Sequence, residues 1–280
     1  MTVGILYTSD KDISREYIDY LVSLVEKNGC KAILNDIKND SLRSGECEPD
    51  TSVDLYIVLG GDGSIIRAAH RAMKTNAPVL GINFGTVGCL AELEQNETDR
   101  ISDFFAGRYY YDERTMIEAE LIRDGESVAG VMKALNDVVV YHGACAKLVD
   151  SEFYCDGSNV AHFRSDGIII STPTGSTGYS MSAGGPVISP EAKVMCATPI
   201  CAHSLDARPL IFSDSSLLEI VVRSRSDGKM KLTVDGFDDI DLKNGDVVRI
   251  RRSECSVKLV RIGENVDKGQ FYKRVIRKIQ

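Results

Sequence analysis

The chain has 280 residues, 43% hydrophobic and 26% charged, which suits two ordinary globular domains with a large core. Its formal net charge of −8 argues against wholesale nucleic-acid binding. No apolar run approaches the ~20 residues that span a bilayer, and the opening MTVGILYTSD has no basic leader before a long apolar stretch, so no membrane partner and a cytoplasmic location are expected. Cysteines stand at 30, 47, 89, 145, 155, 196, 201 and 255, none in a CxxC pair and most within apolar segments. That distribution suits buried, reduced thiols better than a disulfide frame.

In chain order, residues 3–7 read as a short apolar strand. Ile13, Tyr17, Leu21 and Leu24 then repeat at helical spacing over 13–27, and Asn28-Gly29 stops the helix. Residues 30–34 form a second strand, and the polar stretch 35–51 reads as a long loop. Residues 53–59 are nearly continuously apolar, as in a strand buried in a parallel sheet. A helix over 64–74, a strand over 78–82, a glycine-containing turn at NFGTVG and a helix over 98–105 complete an open α/β pattern.

The pattern changes near Asp112. Strands are expected at 115–123, 138–141, 147–155, 159–163, 168–171, 217–222, 229–234 and 247–252, with few helices between. Asp156-Gly157, Asp227-Gly228, Asp235-Gly236 and Asn244-Gly245 mark the turns. Phe271, Val275 and Ile279 space a last helix that needs a packing partner. Between residues 249 and 278 there are ten Lys/Arg against Glu254, Glu264 and Asp267, and a solvated helix face is the expected reading. The organisation read from the sequence is an α/β domain over 1–112, a β-rich domain over 113–258 and a C-terminal tail over 259–280.

Two stretches carry chemistry. VLGGDGS at 58–64 ends a hydrophobic strand with three glycines around one carboxylate and then starts a helix. Such a turn lies at the carboxyl end of a parallel strand, where open α/β sheets bind ligands. The N–H groups of Gly60, Gly61 and Gly63 can cradle phosphate oxygens. Asp62 would repel a phosphate unless it takes a proton from a nucleophile or acts through Mg²⁺. The plainer alternative is an Asp-Gly turn with Ser64 as helix cap. The pattern is neither GxGxxG nor GxxxxGK[ST]. In the second stretch, three isoleucines at 168–170 open into STPTGSTGYS, whose hydroxyls, N–H groups and single ring suit a ribose and a base. Arg164 and Asp166 alternate with inward residues and are expected on one face. His70, His142 and His162 read as structural, and Cys196 with Cys201 and His203 falls short of a zinc spacing.

The chain resembles the NAD kinases. GGDGS at 60–64, NFGTVGCLAE at 83–92, LNDVVV at 135–140, SDGIIISTPTGSTGYSMSAGGP at 165–186 and TPICAHSLDARPL at 198–210 match that family's motifs in order. GGDG alone is shared with ATP-dependent phosphofructokinases and lipid kinases, but the other blocks are not. The resemblance implies phosphoryl transfer, with ATP as the default donor, to the 2′-hydroxyl of the adenosine ribose of NAD. It implies a Rossmann-like α/β N-terminal domain, a β-rich C-terminal domain and a chain end returning to the first. Asp62 matches the proton acceptor, with Gly63 beside it. Asn136 and Asp137 match an Asn-Glu pair that holds NAD, and Lys147 matches a basic position. Arg164 and Asp166 match a second nucleotide edge. Thr174, Thr177, Gly178, Tyr179, Ser180 and Ser182 match the adenosine-binding loop. Mg²⁺ would come with ATP, with no dedicated protein metal site, and the assembly would be a homodimer or homotetramer. Asp137 where glutamate is usual, Gly178 where alanine is frequent and Phe237 where a polar residue is common are departures from the pattern.

Overall fold

The computed structural model describes the chain apart from residues 10, 38–51, 86–87, 144–148, 205–206, 224–229, 264–267 and 280. Lys147, Cys47, Cys145, the turn at Asp227-Gly228 and most of the expected 35–51 loop lie outside the described residues. The chain divides into two compact units, 1–114 with 256–280, and 115–255.

The first unit opens with β1 (Thr2–Tyr7), α1 (Arg15–Lys27), β2 (Lys31–Asp36), β3 (Leu55–Gly60), α2 (Asp62–Thr75), β4 (Val79–Asn83), β5 (Leu93–Glu94) and α3 (Ile101–Phe105). The strands are parallel in the order β2-β1-β3-β4-β5, with Ile57 in register with Ile5 and Leu80. Every residue of β3 is buried, which is why its sequence is apolar without alternation. Ser14 caps α1 by accepting the Tyr17 N–H, and Leu21 and Val25 enter the core. That core joins Val3, Ile5, Leu55, Ile57, Leu59, Leu80, Ile82, Val260 and Ile262.

Two expectations change here. α2 begins at Asp62, two residues before the expected start, and its cap is Gly61 with no side-chain bond, so Ser64 is not the cap. The expected helix 98–105 is a 3₁₀ turn, Gln95–Arg100, leading into α3. Glu94 and Glu97 form a reciprocal capping box at its start, a local arrangement that favours the tighter turn.

Strand β6 (Tyr109–Arg123) leads on to β7 (Glu126–Ala134), β8 (Asp137–His142), β9 (Val149–Cys155), β10 (Ser158–Ser165) and β11 (Gly167–Ser171). A 3₁₀ turn at Gly175–Thr177 and the short α4 (Tyr179–Ser182) follow. Then come β12 (Val194–Ile200), β13 (Leu210–Ser213), β14 (Leu218–Arg223), β15 (Met230–Val234), β16 (Phe237–Leu242) and β17 (Val247–Ile262). In the second unit, one antiparallel sheet runs β13-β12-β11-β8-β15-β16, and β10, β9, β14 and β17 pair in sequence in another. Their inner faces share one core, with Phe153 and Ile220 from one sheet and Val138, Val140, Ile168, Ile170 and Leu232 from the other.

The sequence reading missed β7, β12, β13 and β16. β7 is a largely exposed strand whose ESVAG start has no apolar alternation. β12 contains Pro199, which argues against a strand. It is tolerated because β13 pairs only with 194–197, so no neighbour on that side needs the missing N–H. β16, with the acidic sequence FDDIDL, is a strand paired with β15. The STPTGSTGYS stretch is two short helical turns, not a plain loop.

The last helix, α5 (Lys268–Ile279), belongs to the first unit and buries Val275. Its basic residues are not simply a solvated face, because Arg274 bonds to Ala91 O and Glu92, and Lys278 to Asp62. Among the described residues no helix is long and apolar enough to cross a membrane. The described cysteines are free thiols; Cys89 and Cys196 are buried, whereas Cys201 is exposed, against expectation.

Candidate functional site

In the first unit, β3 delivers the chain to Gly60 and Gly61, and Asp62 opens α2. The Asp62 carboxylate is fixed by three donors. The Leu90 N–H donates to Oδ1 at 3.0 Å, the Cys89 N–H to Oδ2 at 3.1 Å, and the Lys278 ammonium to Oδ2 at 3.2 Å. Gly88 is required by this approach, because a Cβ there would stand 2.7 Å from Asp62 Oδ1.

The segment that presents these N–H groups is itself anchored. Arg261 donates to Leu90 O at 3.0 Å and pairs with the buried Glu92 at 3.2 Å. Arg274 donates to Ala91 O and to Glu92, each at 2.8 Å. Arg261 also pairs with Asp112, which Arg114 grips at 2.7 Å. Burial alone would raise the Asp112 pKa, but Arg114 and Arg261 outweigh it and hold the carboxyl below its ordinary value. A carboxylate held by backbone N–H groups on a braced segment is a fixed acceptor, suited to receiving a proton from a hydroxyl.

In the second unit, a cavity of about 360 Å³ is lined by Asn136, Asp137, Val139, Tyr141, Tyr179, Thr233, Asp235 and Gly236. Its rear is built by one hairpin turn. Asp235 and Gly236 both have positive φ, 51° and 72°, as a tight two-residue turn between β15 and β16 requires. That turn aims the Asp235 carboxylate back at the start of β8. The N–H groups of Leu135 and Asn136 donate to it at 2.7 Å, and that of Asp137 at 3.0 Å. Asp137 is buried, and burial together with the Asp235 carboxylate raises its pKa to about 7. The Asn136 Oδ1 is buried without a hydrogen-bond partner among the described residues.

The 172–180 turns pack on the same point. Thr172 donates its N–H to Asn136 O at 2.8 Å and its hydroxyl to Leu135 O at 2.5 Å. Gly175 cannot carry a side chain, since a Cβ would lie 2.1 Å from Asn136 O. Ser176 donates to Pro173 O, and Ser180 shares a bond with Thr198 at 2.9 Å. Tyr179 is 48% exposed, with its ring on the cavity. Burial, then Cys201, Asp137 and Asp166, raise its phenol pKa. Tyr141 donates to Asp239 at 2.7 Å, and burial with that carboxylate pushes its phenol up to about 12.

The structure therefore brings Asn136, Asp137 and Tyr179 together around one cavity. Thr174, Thr177 and Ser180 are buried in the turns behind it, Gly178 lies within 3.4 Å of the Asn136 amide when given a Cβ, and Ser182 is exposed. Arg164 and Asp166 are both exposed, alternating with buried Phe163, Ser165 and Gly167, and do not line the cavity. Gly63 sits in the first turn of α2 beside Asp62.

Residues 13–109 match the ATP-NAD kinase N-terminal domain and 135–262 the ATP-NAD kinase C-terminal domain. The chain belongs to the NAD kinase family. It is 34% identical to an NAD kinase of Ruminiclostridium cellulolyticum over 97% of this chain and 98% of that protein. It is 44% identical to an NAD kinase of Symbiobacterium thermophilum over 75% of this chain and 74% of that one. Among solved structures, yeast NADH kinase complexed with NADH superposes with a TM-score of 0.85 at 26% identity, over 100% of this chain and 87% of that one. An NAD kinase from Archaeoglobus fulgidus in complex with ATP shares the fold at a TM-score of 0.75 and 22% identity, over 99% of each chain. The chain is a kinase that phosphorylates NAD to NADP.

Several residues that build these two arrangements were not singled out from the sequence. Asp235 was read only as a turn former, although a carboxylate at the first position of an Asp-Gly hairpin is well placed to accept N–H groups. Arg261, Arg274 and Lys278 were not singled out, lying among the many charges of β17 and α5, and Glu92 entered only as the last residue of the NFGTVGCLAE block.

Proposed function

We propose that the chain moves the γ-phosphoryl group of a Mg²⁺–ATP complex to the 2′-hydroxyl of the adenosine ribose of NAD, with Asp62 accepting the hydroxyl proton. The bond from ribose oxygen to γ-phosphorus forms, the bond from γ-phosphorus to the bridging oxygen breaks, and ADP leaves with the cation. The cation is part of the donor substrate. The N–H groups around Gly61 and Gly63 face the phosphates, and the protein supplies positioning and charge stabilisation.

The observation that carries the NAD site is Asn136. It lines the cavity, and its buried Oδ1 has no partner among the described residues. Such an atom costs about 1–3 kcal/mol when left unsatisfied, and a nucleotide N–H would relieve it. Asp137 beside it holds sugar hydroxyls, and the Tyr179 ring packs on the nucleotide. Thr174, Thr177, Gly178, Ser180 and Ser182 shape the turn that carries Tyr179. Arg164 and Asp166 meet the far nucleotide edge, and Lys147 adds a cation. The working location is the cytoplasm, and the assembly a homodimer or homotetramer, as the family resemblance implies.

The test is direct. Purified chain, Mg²⁺–ATP and NAD should yield NADP and ADP in equal amounts, with NADH offered in parallel because the yeast relative binds it. Absence of NADP from NAD overturns the reading. Asn136→Ala should raise the NAD KM more than it lowers kcat, since the contact exists in ground and transition state alike.

A further inference from the structure

Among the described residues, Asp62 accepts two donors on Oδ2, from Cys89 N–H and Lys278, but one on Oδ1, from Leu90 N–H. Each oxygen of an ionised carboxylate can accept about two hydrogen bonds. Lys278 thus fills Oδ2 and leaves Oδ1 as the oxygen with capacity for a further donor. The pair is partly shielded, with side chains 30% and 22% exposed, so it is not the fully solvated kind that contributes nothing.

The helix that brings Lys278 is aimed for this contact. Arg274 lies one turn earlier, and residues four apart share a helix face. Arg274 bonds Ala91 O and Glu92, while the buried Val275 anchors the helix. One helix face therefore holds both the carboxylate and the segment whose N–H groups orient it. A phosphoryl transfer also brings anionic phosphate toward an anionic base, and an ammonium on that base offsets the repulsion.

We propose that Lys278 is a positioning residue for phosphoryl transfer, fixing Asp62 so that Oδ1 receives the acceptor hydroxyl's proton. This rests on Asp62 being the base. Lys278→Met should lower kcat about tenfold, short of the ~10²-fold that a 1 Å misplacement can cost, with the KM values for NAD and ATP within about twofold. Lys278→Arg, which keeps the charge and a donor, should recover most of the loss.

In an Asp62→Asn chain, itself slowed by about 10²–10⁴, Lys278→Met should cause no further loss, because the base it is proposed to orient is gone. If Asp62→Asn keeps its turnover, the base reading fails whatever Lys278 does. If Asp62→Asn is slow but Lys278→Met keeps kcat, the positioning proposal is overturned and the base reading stands. A rise confined to the ATP KM also overturns it, since Lys278 would then be a nucleotide ligand. Thermal unfolding is followed for each variant; should Lys278→Met melt early, Lys278→Gln is read by the same criteria.

Discussion

Asp137 shows how one side chain answers to its surroundings. Burial and the nearby Asp235 carboxylate raise its pKa to about 7 from 3.8. The folded chain therefore holds a proton there that the unfolded chain releases above about pH 4, so this group's stabilisation is complete at low pH and is lost as pH rises through about 7. Asparagine in its place has no proton to lose. Urea unfolding at several pH values should show wild type losing stability relative to Asp137→Asn between pH about 4 and 7, and a flat difference would refute the shift. Tyr179 is the other informative residue, because it is large and exposed among small neighbours. Tyr179→Ala should cost roughly 10²-fold in turnover if the ring places the ribose. Tyr179→Phe should then stay near wild type; a poor Phe variant would assign the role to the hydroxyl, and a fully active Ala variant would remove the ring from the site.

At the scale of elements, the Asp62 site depends on a buried charge cluster that contacts no proposed ligand. Arg261 and Glu92 are 7% and 6% exposed, and Arg261 also holds Asp112 and Leu90 O. Removing one partner of such a pair leaves the other buried and uncompensated, which typically costs about 3–5 kcal/mol. Arg261→Met should destabilise by that order in chemical denaturation and should slow turnover even where the chain remains folded, because the Leu90 and Cys89 N–H groups would lose their brace. An Arg261→Met chain of native stability would show that the cluster is dispensable.

For the whole molecule, ligand binding is the readout. NAD at about 100 times its Kd should stabilise the chain by about 2.7 kcal/mol, an upward Tm shift of roughly 5–10 °C. Asn136→Ala should shrink that shift at the same NAD concentration. An undiminished shift would place NAD elsewhere.

What the sequence by itself determined was set by local chemistry. The apolar run LYIVLG could only be a buried strand, and its glycines and Asp62 had to follow at its end. LNDVVV placed Asn136 and Asp137 side by side, whereas the need for glycine at 175 arises only where the chain folds onto Asn136 O. Strands with weak patterns, such as ESVAG and FDDIDL, were not legible because their pairing comes from neighbours and not from their own composition. Only the tertiary structure decided that Asp235 gathers three N–H groups about 100 residues earlier in the chain, or that Lys278 reaches Asp62 across 216 residues. Periodicity encodes which face of an element is buried. It does not encode which charged side chain, brought close by chain folding, completes a given carboxylate.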